Sequence, residues 1–132
     1  MLVRVAAVIA VGAGVLGGVA SAQGMLEQAE AKVKALSVEL QAHTEAAKAE
    51  GGKGTAAMQA NDRAGACAGF TKSRAETQTV LGLLAQQREQ VMLASADAAT
   101  AIGRANKIDE MSGTWMGMVS QLDKRIAQVC PA

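Results

Sequence analysis

Tyrosine is absent from this chain, and phenylalanine, tryptophan, proline and histidine each occur once in 132 residues. Aromatic side chains bury the most area per residue, so any core built without them is thin. The only proline, Pro131, stands next to the C-terminal residue, which leaves the interior without its strongest helix breaker. Val, Ile and Thr form no alternating run, and this argues against a sheet.

Other absences exclude chemistry. Cys67 and Cys130 are the only cysteines and lie far apart, so neither a Cys-x-x-Cys redox pair nor the Cys-x-x-Cys-His of a c-type haem site occurs. Leu40, not Glu, stands three residues before His43, so the Glu-x-x-His of di-metal bundles is missing. Gly51-Gly52-Lys53-Gly54 lacks the order of a phosphate-binding loop. No nucleophile elbow is present. Asp109-Glu110 reads as a charged helix surface, and His43 as a histidine at the edge of a core. We expect no enzyme activity, cofactor or metal.

What is present begins with a leader. Arg4 precedes an uncharged apolar run from Val5 to Ala20, and Ala20-Ser21-Ala22 is the small-x-small pattern that signal peptidases accept. Residues 1–22 read as a cleavable signal peptide and residues 23–132 as a single helical domain, in a periplasmic or secreted location. A retained anchor is the competing reading, but Val5–Ala22 is short for a span and holds four glycines. The glycine-rich leader and alanine-rich remainder suit a bacterium with a periplasm.

Residues 1–22 carry one cation and no carboxylate, so the 12 Asp plus Glu of the remainder meet as many Lys and Arg. A neutral chain is a poor nucleic-acid binder, which needs a basic face. No strongly basic amphipathic face favours membrane attachment of the domain. Alanine is almost as frequent in residues 23–132 as all large aliphatic and aromatic residues together. It forms helix well and buries little, so close helix packing through small residues is expected.

Helical spacing is clear. Leu26, Ala29, Val33, Leu36, Leu40 and Ala47 recur at steps of three, four and seven, with His43 and Glu50 where an apolar residue would continue the stripe. Gly51–Gly54 predicts a linker ending that helix. A short helix and a small-residue connection follow, and Ser73-Arg74-Ala75-Glu76 fits a capping box. The next stripe runs through Val80, Leu84, Val91 and Ile102, and the last through Ile108, Met111, Trp115, Leu122 and Val129. Gly82, between Val80 and Leu84 in the earlier of these stripes, costs about 1 kcal/mol relative to Ala and leaves room for a close helix contact.

Export places Cys67 and Cys130 where thiols oxidise, and a bridge between them stabilises by about 4 kcal/mol in the chain-entropy treatment. The bridge requires final helices of comparable length. A turn at 103–106 satisfies this with a helix beginning near Ser73, while a turn at 112–114 leaves the last arm short. The expected architecture is therefore all-α: a small antiparallel bundle or hairpin of three to four helices, clamped by one disulfide.

Met111, Trp115, Met118 and Leu122 concentrate large, soft side chains on one helix and form a candidate interaction patch. The expected function is that of a non-enzymatic exported helical interaction protein of the bacterial cell envelope: an adaptor, assembly component or small chaperone. Its partners would be other envelope proteins or a second copy. The alternative is a helical binding protein for a small apolar ligand or lipid, with a closed cavity lined by Leu81, Leu84, Ile102 and Trp115.

Overall fold

The computed structural model describes residues 14–132, with side chains from Ala22 onward. Residues 1–13, the larger part of the expected leader, lie outside the described residues. Three helices are present among the described residues: α1 over Gly14–Gln59, α2 over Arg63–Ala94 and α3 over Ala98–Val129. No strand occurs among the described residues, and one disulfide joins Cys67 to Cys130. The all-α, disulfide-clamped bundle expected from the sequence is the fold observed.

Short polar side chains set the two turns. Asn61 takes the left-handed conformation at φ 57°, the only non-glycine residue to do so among those described. Its N–H donates to Met58 O at 3.2 Å, and the Asp62 N–H donates to Ala57 O at 2.8 Å. This pair of bonds is a Schellman motif, which satisfies carbonyls the helix end would otherwise leave open. Asp62 then caps α2, its carboxylate accepting the Gly65 N–H at 2.9 Å. At the second turn Asp97 accepts both the N–H and the hydroxyl of Thr100, each at 2.8 Å, and starts α3.

These caps correct three expectations. The segment 51–54 is not a linker: it is helical, and α1 continues through it to Gln59. Ser73 caps nothing; it is buried in the middle of α2 and its hydroxyl donates to Ala47 O of α1 at 2.8 Å. The last turn falls at neither 103–106 nor 112–114 but at Ser95–Asp97, and Gly103 and Gly113 are both inside α3. The demand for equal arms was sound, since α2 and α3 each have 32 residues, about 48 Å of helix. The origin was misplaced: α2 starts at Arg63, ten residues early, and the turn moves with it.

Glycine does its work inside the α1–α2 interface. A Cβ on Gly69 would lie 2.6 Å from Gly54 N and 2.7 Å from Gly54 Cα, and one on Gly54 would lie 2.7 Å from Phe70 Cδ1. Backbone therefore meets backbone where the two glycines cross. That close approach holds Gly51–Gly54 in helix against its unfavourable propensity. Gly82 makes no such approach, because a Cβ there would meet nothing within 4 Å.

The central helix is α2, packed on both neighbours, whereas no Cα of α1 comes within 8 Å of one of α3 among the described residues. Two apolar clusters form along it. Val33, Val80, Leu84, Val91 and Ile108 make the first, with Leu40 and Trp115 against it. Ala66, Phe70, Leu122 and Val129 make the second, at the disulfide end. Between them Ser73 and Thr77 are buried with their hydroxyls bonded to backbone carbonyls, so no described buried polar side-chain atom lacks a partner. Three arginine–carboxylate pairs, Arg74–Asp123, Arg88–Asp109 and Arg104–Glu30, tie α3 to α2 and α1 from outside.

The disulfide closes the end opposite the second turn. Cys67 lies in the second turn of α2 and Cys130 caps the C-terminus of α3, with Cα atoms 4.9 Å apart. Arg63 reinforces the closure by donating to Gln128 O at 2.7 Å and Val129 O at 3.3 Å, two carbonyls that the end of α3 leaves open.

Candidate functional site: the groove between α1 and α3

Because α1 and α3 touch α2 more closely than each other, a groove opens between them. At the disulfide end it encloses about 260 Å³. Phe70 and Ser73 of α2 form its floor, Lys48 and Thr55 stand on the α1 side, and Met118, Leu122 and Arg125 on the α3 side.

Helix periodicity puts these side chains together. Ala47, Gly51 and Thr55 follow each other one turn apart along α1, and Met118, Leu122 and Arg125 do the same along α3. Phe70 is 1 % exposed and supports the base. The Arg125 guanidinium lies over the Phe70 ring, 5.4 Å from its centroid, and donates to Thr55 Oγ1 at 3.3 Å. It thus spans the groove, held by a cation–π contact on one side and a hydroxyl on the other.

The four residues of the expected interaction patch are distributed along this stripe. Leu122 is 6 % exposed and belongs to the second cluster, with Met118 half-buried against it, and both line the groove. Trp115 packs against the first cluster instead, and Met111 is 44 % exposed. Half the patch is therefore groove wall, and the remainder follows the other cluster. Lys48, Thr55, Phe70 and Arg125 were not singled out in the sequence; Phe70 carries the one available signal, as the only phenylalanine.

Leu81, Leu84, Ile102 and Trp115 do not enclose a common cavity. Leu84 is packed in the core, while Ile102 is 54 % exposed.

Electrostatics elsewhere serve the scaffold. His43 Nδ1 pairs with the Glu76 carboxylate, joining α1 to α2 at a position where the apolar stripe of α1 is broken. A hydrogen bond from Lys53 holds the Glu50 carboxyl below its ordinary value. Hydrogen bonds from the Thr100 N–H and hydroxyl do the same for Asp97. No cluster of three or more His, Cys, Asp or Glu side chains suited to a metal ion occurs among the described residues. The groove thus combines a buried apolar floor with cationic edges.

Comparison with known protein families, characterised proteins and solved structures finds no match for this chain.

Proposed function

We propose that this chain is a non-enzymatic helical interaction protein exported to a bacterial cell envelope, where it acts as an adaptor, assembly component or small chaperone. The observation that carries the reading is the open groove between α1 and α3, in which half-buried Met118 and the exposed Lys48 and Arg125 stand over the buried Phe70 and Leu122. Grooves of this kind, apolar at the base and polar at the edge, suit protein docking.

Two further features support export. The Cys67–Cys130 disulfide is the state favoured in an oxidising compartment. Among the described side chains the first buried one is Ala29, and Ala22 and Gln23, at the expected cleavage point, are both exposed. Among the described residues no helix is long and apolar enough to cross a membrane.

Mass measurement of the protein recovered from its own cells tests the export reading. A chain starting at Gln23 with both cysteines bridged is the expected result. An intact N-terminus together with two free thiols overturns it.

A further inference from the structure

We propose that Gln23, once cleavage makes it the first residue, closes on itself into a pyroglutamate, a neutral five-membered lactam. The inference rests on the export reading above and assigns the new end of the chain a covalent modification.

The reaction needs only groups that cleavage after Ala22 brings together. It frees the Gln23 α-amine, and the carboxamide of the same side chain is in ring-closing reach of it. The amine nitrogen attacks Cδ, the N–Cδ bond forms and the Cδ–Nε2 bond breaks. The proton given up by the amine leaves with Nε2 as ammonia. Nothing is oxidised or reduced, and no co-reactant is consumed. The outcome is specific to this cleavage point, because a cut one residue earlier or later exposes Ala22 or Gly24, and neither can cyclise.

The structure leaves the reaction unobstructed. Gln23 is exposed, and a Cβ at the neighbouring Gly24 would meet nothing within 4 Å. Gln23 belongs to neither apolar cluster. Ala29, the first buried among the described side chains, comes less than two helical turns further along α1. The carboxamide is thus free to swing back onto the amine without disturbing the packed bundle.

The product also suits its position. Gln23 to Leu26 carry no carboxylate, so the open chain would hold an uncompensated ammonium at the positive end of α1. Cyclisation removes that charge. The lactam has the ring size of proline, which the first helical position tolerates, and its N–H is one of those that the first turn leaves without an intrahelical partner. A chain closed in this way presents no α-amine to an aminopeptidase.

The test is mass spectrometry of the protein recovered from its own cells and cleaved after lysine and arginine, with an isotope-labelled open peptide spanning Gln23 to Lys32 added before workup. The native N-terminal peptide is expected to be about 17 Da lighter than the open form, the mass of one ammonia, while the labelled peptide stays open. Added aminopeptidase should leave the unaltered chain whole and shorten a Gln23→Ala variant. A native peptide of open mass starting at Gln23 overturns the proposal and leaves the export reading in place. A labelled peptide that cyclises as far as the native one does the same, because the lactam is then a product of handling, and so does a chain that starts elsewhere beyond the leader. A chain that still carries the leader removes both.

Discussion

Replacing Gly69 and Gly82 by alanine makes the same chemical change twice in one helix and should have opposite effects. At Gly82 the new methyl meets nothing within 4 Å, so only the helix propensity changes and stability rises by about 0.5–1 kcal/mol. At Gly69 the methyl lies 2.6 Å from Gly54 N, 2.7 Å from Gly54 Cα and 2.9 Å from Glu50 O, where ordinary contact begins at 3.4 Å. All three atoms are α1 backbone, so no rotamer relieves the overlap and the helices must separate locally by about 1 Å. Forced overpacking of this kind costs about 1–3 kcal/mol. Less the propensity gain, the variant loses up to about 2.5 kcal/mol, or up to roughly 15 °C in Tm for a domain near this size. Thermal and urea unfolding of the oxidised protein reads both variants. A Gly69→Ala protein as stable as Gly82→Ala would refute the close crossing of Gly54 and Gly69.

Other perturbations follow from the same contacts. Reduction of the disulfide, or Cys67→Ala with Cys130→Ala, opens a loop with a separation of 63 residues and should cost about 4 kcal/mol by denaturant titration with and without reductant. Phe70→Ala, at 1 % exposure, should cost about 3–5 kcal/mol and leave Arg125 without its ring. Asn61→Gly should be neutral or stabilising and Asn61→Ala destabilising by about 1 kcal/mol, since alanine tolerates the left-handed turn poorly; unfolding midpoints separate the two. The Asp97 carboxyl is held below its ordinary 3.8. Its contribution is therefore complete above that value and is lost as pH falls through the lower folded-state value. Acid titration of Asp97→Asn should show a weaker loss of stability in that range than the unaltered chain.

The helical class and the inner face of α1 were legible because both depend on local chemistry. Alanine abundance, the missing interior proline and the steps of three, four and seven through Ala29, Val33, Leu36, Leu40 and Ala47 pointed to an amphipathic helix, and Ala29, Val33 and Ala47 are buried. The disulfide was legible from a chain with only two cysteines and a leader pattern. Turn positions were harder. Asn61-Asp62 and Asp97 carry cap chemistry that was present in the sequence, but Gly51–Gly54 and Gly103 are stronger breakers by intrinsic propensity and outweighed them.

For the groove, the α3 stripe revealed Met118 and Leu122 through spacing within one helix. Lys48, Thr55 and Phe70 belong to other helices, and nothing local links them to Arg125. Only antiparallel packing of α1 on α2, and of α3 on α2, brings the four into reach.

By itself, the sequence determined that the chain is helical, that its core is thin, and that its two cysteines bond, because propensity, side-chain volume and cysteine number are properties of the residues alone. Tertiary structure decided whether each glycine is a break or a contact. A missing Cβ frees the backbone wherever it occurs, but it also permits a neighbour only 2.6 Å from where that Cβ would stand, and which consequence prevails depends on whether another helix lies opposite. Opposite Gly54 there is Gly69; opposite Gly82 there is open space.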